Sequence, residues 1–170
     1  RSIMVGVNAY SDPDSFVSYL QAEARASGGT VTADANASGG NHLAFTASSS
    51  PTTFVWTLPA ADMQRTKGRR FRILARFSGT TGPLYVKPQV RTSGGTVLWQ
   101  GDELALGSLV YESWQDLGIV PLPPGGYSAS YAAHQLALVF RGTALVELDV
   151  LQLTPLDSYR HYETVGTGVP

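Results

Sequence analysis

The chain has 170 residues, of which 43% are hydrophobic and 15% charged, with no cysteine and a formal net charge of -1. That length predicts one domain, the charge excludes a generic binder of nucleic acid or other polyanions, and no apolar run approaches the ~20 residues of a membrane helix. Without cysteine there is no disulfide framework, thiolate zinc site, iron–sulfur cluster or cysteine nucleophile, and the hydrophobic share is too high for disorder.

The chain opens on Arg1 without a charged, apolar and small signal pattern, and reads as a processed product or an excised segment, with residues 1–18 a lead-in. Asp12-Pro13-Asp14-Ser15 has the form of a helix start, and Phe16, Tyr19, Leu20 and Glu23 follow at helical spacing. This predicts a helix of one to three turns. From there on, seventeen of the eighteen glycines and nine of the ten prolines punctuate short segments that alternate apolar with polar residues, the period of half-buried strands. Strands are expected at 30–35, 42–48, 53–58, 70–77, 84–91, 95–100, 114–120, 134–140 and 144–150. In the clearest of them Arg70, Arg72 and Arg76 face one way and Phe71, Ile73, Ala75 and Phe77 the other. Ser27-Gly28-Gly29, Ser38-Gly39-Gly40 and Ser93-Gly94-Gly95 read as turns. The short link Arg141-Gly142-Thr143 suits a hairpin between the last two long strands. About nine one-sided strands are buried most economically by an all-β fold, a two-sheet antiparallel β-sandwich over residues 19–156. Residues 157–170 form a tail or linker.

The chain has no Gly-x-Ser-x-Gly elbow, phosphate loop, His-Glu-x-x-His or dinucleotide fingerprint, so the expectation is a protein that is not an enzyme. His42, His134 and His161 have no metal-ligand spacing and read as structural. Among thirteen acids, neighbours such as Asp102 with Glu103 and Glu147 with Asp149 are inevitable, and carry no glycosidase signal by themselves. Half of the twelve basic residues, Arg65, Lys67, Arg69, Arg70, Arg72 and Arg76, crowd one stretch. They read as a solvated face whose arginine stems cover apolar sheet surface, or as a site for phosphates or carboxylates. Trp99, Trp114, Tyr85 and Tyr111 lie near expected strand ends, where an exposed ring would stack on a sugar and a buried one would fill the core.

Gln21-Ala22-Glu23-Ala24, Gly28-Gly29-Thr30-Val31 and Ala37-Ser38-Gly39-Gly40-Asn41-His42-Leu43 resemble the opening of galactose-binding-like jelly-roll domains, in particular carbohydrate-binding modules with a Glu-Ala-Glu opening. Leu148-Asp149-Val150-Leu151-Gln152-Leu153 is similar to that family's last strand. The resemblance implies a jelly roll and a structural calcium held by Glu23 and Asp149, an ion that takes hard oxygen ligands. Gln21 stands where the family has its first glutamate, one charge fewer. Leu153-Thr154-Pro155-Leu156-Asp157-Ser158-Tyr159-Arg160 also resembles the close of jelly-roll segments in tailed-bacteriophage tail proteins. Two functions follow. One is a non-catalytic, extracellular module binding a glycan or polysaccharide through Trp99, Trp114, Tyr111 and Tyr85, joined by Arg72 and Arg76 if the sugar is acidic. The other is a structural or receptor-binding domain of a phage tail or cell-surface assembly, with other subunits as partners and a virion address.

Overall fold

The structure, a computed structural model, describes residues 18–58, 70–107, 112–121 and 134–155. Within them eleven strands follow in chain order: β1 (Ser18–Gln21), β2 (Thr30–Ala33), β3 (Asn41–Thr46), β4 (Thr52–Thr57), β5 (Arg70–Thr81), β6 (Leu84–Arg91), β7 (Val97–Gln100), β8 (Leu104–Ala105), β9 (Ser113–Pro121), β10 (Gln135–Gly142) and β11 (Leu145–Pro155). One sheet runs β2-β3-β11-β5-β9 with β1 also on β11; the other runs β4-β10-β6-β7 with β8 also on β6. All pairings are antiparallel, and the two sheets pack as a sandwich. From β3 to β6 and from β9 to β11, each strand lies in the sheet opposite its predecessor, the winding of a jelly roll. All nine expected strands form, and β1 and β8 join them.

Apolar alternation builds the core. Phe71, Ile73, Phe77, Leu136, Leu138, Phe140, Val146 and Leu148, from the apolar halves of β5, β10 and β11, are fully buried in one cluster. Phe45 and Phe140 stand 4.9 Å apart between ring centres, and Phe45 and Phe54 4.6 Å. Trp56 is buried beside them, and its Nε1–H donates to the carbonyls of Gln21 and Ala22, tying β4 to the end of β1.

Three expectations are corrected. Tyr19 and Leu20 lie on β1, not on a helix, and the described part of the expected helix is reduced to a 3-10 turn at Ala22–Ala24. The reason is a vacant edge: β3 covers β11 only at residues 145–148, so β1 pairs with residues 150–153 and satisfies backbone groups that a helix would leave open. Asp12–Phe16 lie outside the described residues. Arg141-Gly142-Thr143 is not a hairpin, because β10 and β11 belong to different sheets. Gly142 takes a φ of +139 there, and its missing side chain leaves room for the Pro83 carbonyl. Finally, the β11–β5 register slips between Leu148 and Val150, leaving Asp149 as a bulge. The extra residue reverses the phase. Leu151 and Leu153 thus continue the inner face, while Val150, expected inside, sits opposite Arg76 on the outer face and is buried outside the central cluster.

Phe140 packs against both Phe45 and Phe54. Phe140→Ala is expected to cost about 3–5 kcal/mol by transfer and cavity terms together, read from the midpoint of urea unfolding.

Candidate functional site

The expected binding residues separate into three places. Trp99 faces the inner side of β7, opposite Val90, at the sandwich edge where β7 of one sheet and β9 of the other flank an opening. A cavity of about 340 Å³ lies there, lined by Trp99, Gln100, Gly101 and Asp102 from β7 and the loop after it, by Pro88 and Leu104, and by Leu117, Gly118 and Ile119 from β9. Trp99 is half-buried and packs on the core with one side. Gly101 makes this placement practicable: a Cβ there would come within 2.7 Å of Trp99 Cη2, so only glycine lets the indole lie across the loop. The Gly101 N–H donates to the Pro88 carbonyl and fixes that loop to β6. Behind it, Arg91 Nε donates to Gln89 Oε1, and Gln89 Nε2 to Gln100 Oε1, a relay that orients the Gln100 amide and leaves its NH₂ as a donor.

Tyr85 sits on the outer face of β6, where the Arg141 guanidinium lies 4.2 Å from its ring centre. Arg141 also makes a two-pronged bond to Glu103, at 2.8 and 2.6 Å. The guanidinium holds the Glu103 carboxyl below the usual range, and the carboxylate raises Arg141 in turn. One face of Tyr85 is therefore occupied by a cation.

Trp114, Arg76 and Arg72 share the outer face of the six-stranded sheet. Trp114, 44% exposed, pairs in register with Arg76, and Arg72 pairs with Ile119 and bonds the Asp116 carboxylate. Tyr111 lies outside the described residues, as do Arg65, Lys67, Arg69, His161 and the tail from residue 156.

Glu23 and Asp149 meet the same turn from two sides. Gln21 Nε2 donates to Ser38 Oγ at 2.9 Å, and the Ser38 N–H donates to both Asp149 oxygens at 2.9 and 3.1 Å. Asp149 is fully buried and ion-paired to Arg76. Its oxygens are thus already supplied with donors and a cation. Gln21 Oε1 and Glu23 Oε1, by contrast, are buried without any hydrogen bond, and both side chains reach the space that a Gly39 side chain would fill. Two orphan hard oxygens beside a glycine turn suit calcium, although no three described His, Cys, Asp or Glu side chains converge as a metal site.

The bulge residue Asp149, the Gly101 support under Trp99 and the β9 wall of the cavity had no local sign in sequence. They arise from register and from strands distant in the chain.

No protein-family model and no curated protein matches the chain. Solved structures do. A GH26-CBM35 β-(1,4)-mannanase of Podospora anserina is similar with a TM-score of 0.54 at 19% identity, over 83% of this chain and 28% of that one. An isomalto-dextranase of Arthrobacter globiformis T6, complexed with panose, gives 0.54 at 16% identity over 81% and 23%. A Cry1Da tryptic core variant of Bacillus thuringiensis gives 0.51 at 12% over 84% and 24%. The likeness is one of fold. The chain spans about a quarter of the length of each of these proteins.

Removing one partner of the Asp149–Arg76 pair leaves a buried charge uncompensated. Arg76→Ala is expected to destabilise the domain by about 3–5 kcal/mol, and the Arg76→Ala, Asp149→Asn double variant by less than the sum of the two single changes; chemical denaturation of all four proteins measures both.

Proposed function

We propose that the domain is a non-catalytic glycan-binding module that holds one sugar unit of a neutral polysaccharide in the Trp99 cavity. The observation that carries this reading is the half-buried indole of Trp99 forming one wall of a cavity of about 340 Å³ beside Asp102 and Gln100. An apolar ring with a few oriented polar groups is the usual make-up of a small-ligand site. The indole offers its face to the apolar side of a pyranose, and the Asp102 carboxylate accepts from hydroxyls. A neutral sugar fits better than a uronic acid, because Arg72 and Arg76 do not line this cavity and are engaged by Asp116 and Asp149. Two of the similar structures, the mannanase and the isomalto-dextranase with panose, come from proteins that act on sugar polymers, which supports the reading.

Isothermal titration and tryptophan fluorescence with a β-1,4-manno-oligosaccharide, panose and oligogalacturonate test it. A neutral sugar is expected to bind and shift the emission, the acidic one to bind more weakly, and Trp99→Ala to lose at least tenfold in affinity while Trp114→Ala does not. Failure of every neutral glycan to bind, or wild-type binding by Trp99→Ala, overturns the proposal. Silence on glycans combined with self-association in solution would favour the structural role instead.

The same reading includes a structural calcium held by Gln21 and Glu23, with Asp149 bracing the Ser38 turn beside it. There the ion would supply the charge that neutralises Glu23 and ties β1 to the turn. Chelator is expected to lower the melting temperature, added calcium to restore it by mass action, and Glu23→Gln to blunt both responses. A melting curve unchanged by chelator removes the ion from the account.

A further inference from the structure

The outer face of the six-stranded sheet holds a second cavity, of about 370 Å³, where residues next to β2 and β9 meet β3, β5 and β11. Three carboxylates line it, Asp34, Glu112 and Glu147, together with His42, Ser78 and Asn36, and no Trp, Tyr or Phe is among its described walls. His42 is only 5% exposed. Its Nδ1 lies 2.9 Å from Asp34 Oδ2 and its Nε2 3.5 Å from Glu147 Oε2. The His42 imidazole, helped by the Asn36 N–H, holds the Asp34 carboxyl below the usual range. Asp34 is therefore an anion at neutral pH, and Nδ1 donates to it.

That assignment leaves the other imidazole nitrogen unexplained. His42 Nε2 is buried and, although 3.5 Å from Glu147 Oε2, closes no hydrogen bond of ordinary geometry, and Ser78 Oγ, turned toward Asp34, closes none either. Buried polar atoms without partners are uncommon, and each one needs an explanation such as a bound water, ion or ligand group. Charge points to the kind of partner. Arg76 beside the cavity is shared between Asp149, the Asn36 carbonyl at 3.5 Å and Glu112 at 3.7 Å, so one guanidinium does not neutralise the surrounding carboxylates. No three of the described His, Cys, Asp or Glu side chains are arranged for a metal ion.

We propose that this cavity binds an amino sugar through its free ammonium group, at a site separate from the Trp99 cavity. Glu147 and Glu112 meet the charge beside His42 Nε2, and Ser78 and Asn36 bond ring hydroxyls. The volume, near the low end of ~300–1,000 Å³ for ligand pockets, suits a single ring. A neutral sugar would leave the carboxylates desolvated without a countercharge. The choice of a sugar rests on the glycan-binding reading above; the requirement for a cation rests on this cavity alone.

Imidazole resonances of the full chain, with His42 identified by its loss in His42→Gln, report on the site directly. Glucosamine is expected to move the His42 signals saturably, while N-acetylglucosamine and glucose leave them in place. Glu147→Gln should weaken the response at least tenfold, and Trp99→Ala should not change it. Because Glu147→Gln replaces a group next to a buried histidine, Glu112→Gln at the exposed rim provides a second variant, with a smaller weakening expected. Equal responses to glucosamine and glucose, no response at all, or unweakened binding in both variants overturns the proposal, and displacement of glucosamine by calcium makes the cavity a metal site instead. An equal response to methylammonium refutes the sugar while retaining the cation. Loss of neutral-glycan binding at Trp99 with glucosamine binding intact would sink only the reading of the other cavity.

Discussion

The fold turns on a buried ion pair at a strand irregularity. Asp149 occupies the bulge of β11, fully buried, where it accepts the Ser38 N–H with both oxygens and pairs with Arg76 of β5. A carboxylate in that position would be costly without its partners. With them, it joins three separate parts of the chain: the central strand, the Ser38 turn before β3, and the strand that carries the arginines. The bulge it occupies also re-phases β11, so that Leu148 on one side and Leu151 on the other both face the core. It coincides with the change of neighbour along β11 from β3 to β1. The bulge at this residue thus sets which face of the last strand is inside, at the point where its neighbour changes.

The two cavities lie on different parts of this frame and have opposite characters. The first, at the edge between sheets, has an indole, aliphatic side chains and one carboxylate. The second, on the outer sheet face, has carboxylates, an imidazole and a hydroxyl. The contrast follows from position. An edge where the sheets part gives access to inner-face side chains such as Trp99, whereas an outer face displays mainly the more polar half of each alternating strand. A sandwich can therefore present an apolar and a charged recognition surface without altering its core.

Much of the architecture was legible in the sequence, because period-two alternation is a direct consequence of burying one sheet face. It marked nine of the eleven strands and the residues of β5 and β10 that reach the core. It failed where another constraint competed. Tyr19 and Leu20 have helical spacing, but an unpaired stretch of β11 decided their conformation. Arg141-Gly142-Thr143 has the length of a hairpin, but each flanking strand found better partners in its own sheet. Val150 kept its hydrophobicity and lost its phase to a bulge that nothing local announces. Trp99 with Asp102 was readable as an aromatic beside polar groups, but its β9 wall was not. Tyr85 looked similar in sequence, and only the fold brings Arg141 over its ring. His42 gave no signal because Asp34, Ser78 and Glu147 converge on it from three other segments.

Strand β7 gives the Trp99 cavity a further property. Among the described residues it is an edge strand that pairs with β6 alone, in three residue pairs interrupted by a register shift, and it leaves Val97 and Leu98 about half exposed. Such a strand opens more readily than the middle of the sheet. Trp99 and Gln100 are carried by this strand, so its detachment dismantles the cavity while β10 and β11 remain folded. Affinity for any ligand there is then set by the fraction of molecules with β7 docked as well as by the contacts themselves. Substitutions that tighten β7 onto β6, well away from the indole, would raise affinity by enlarging the competent population.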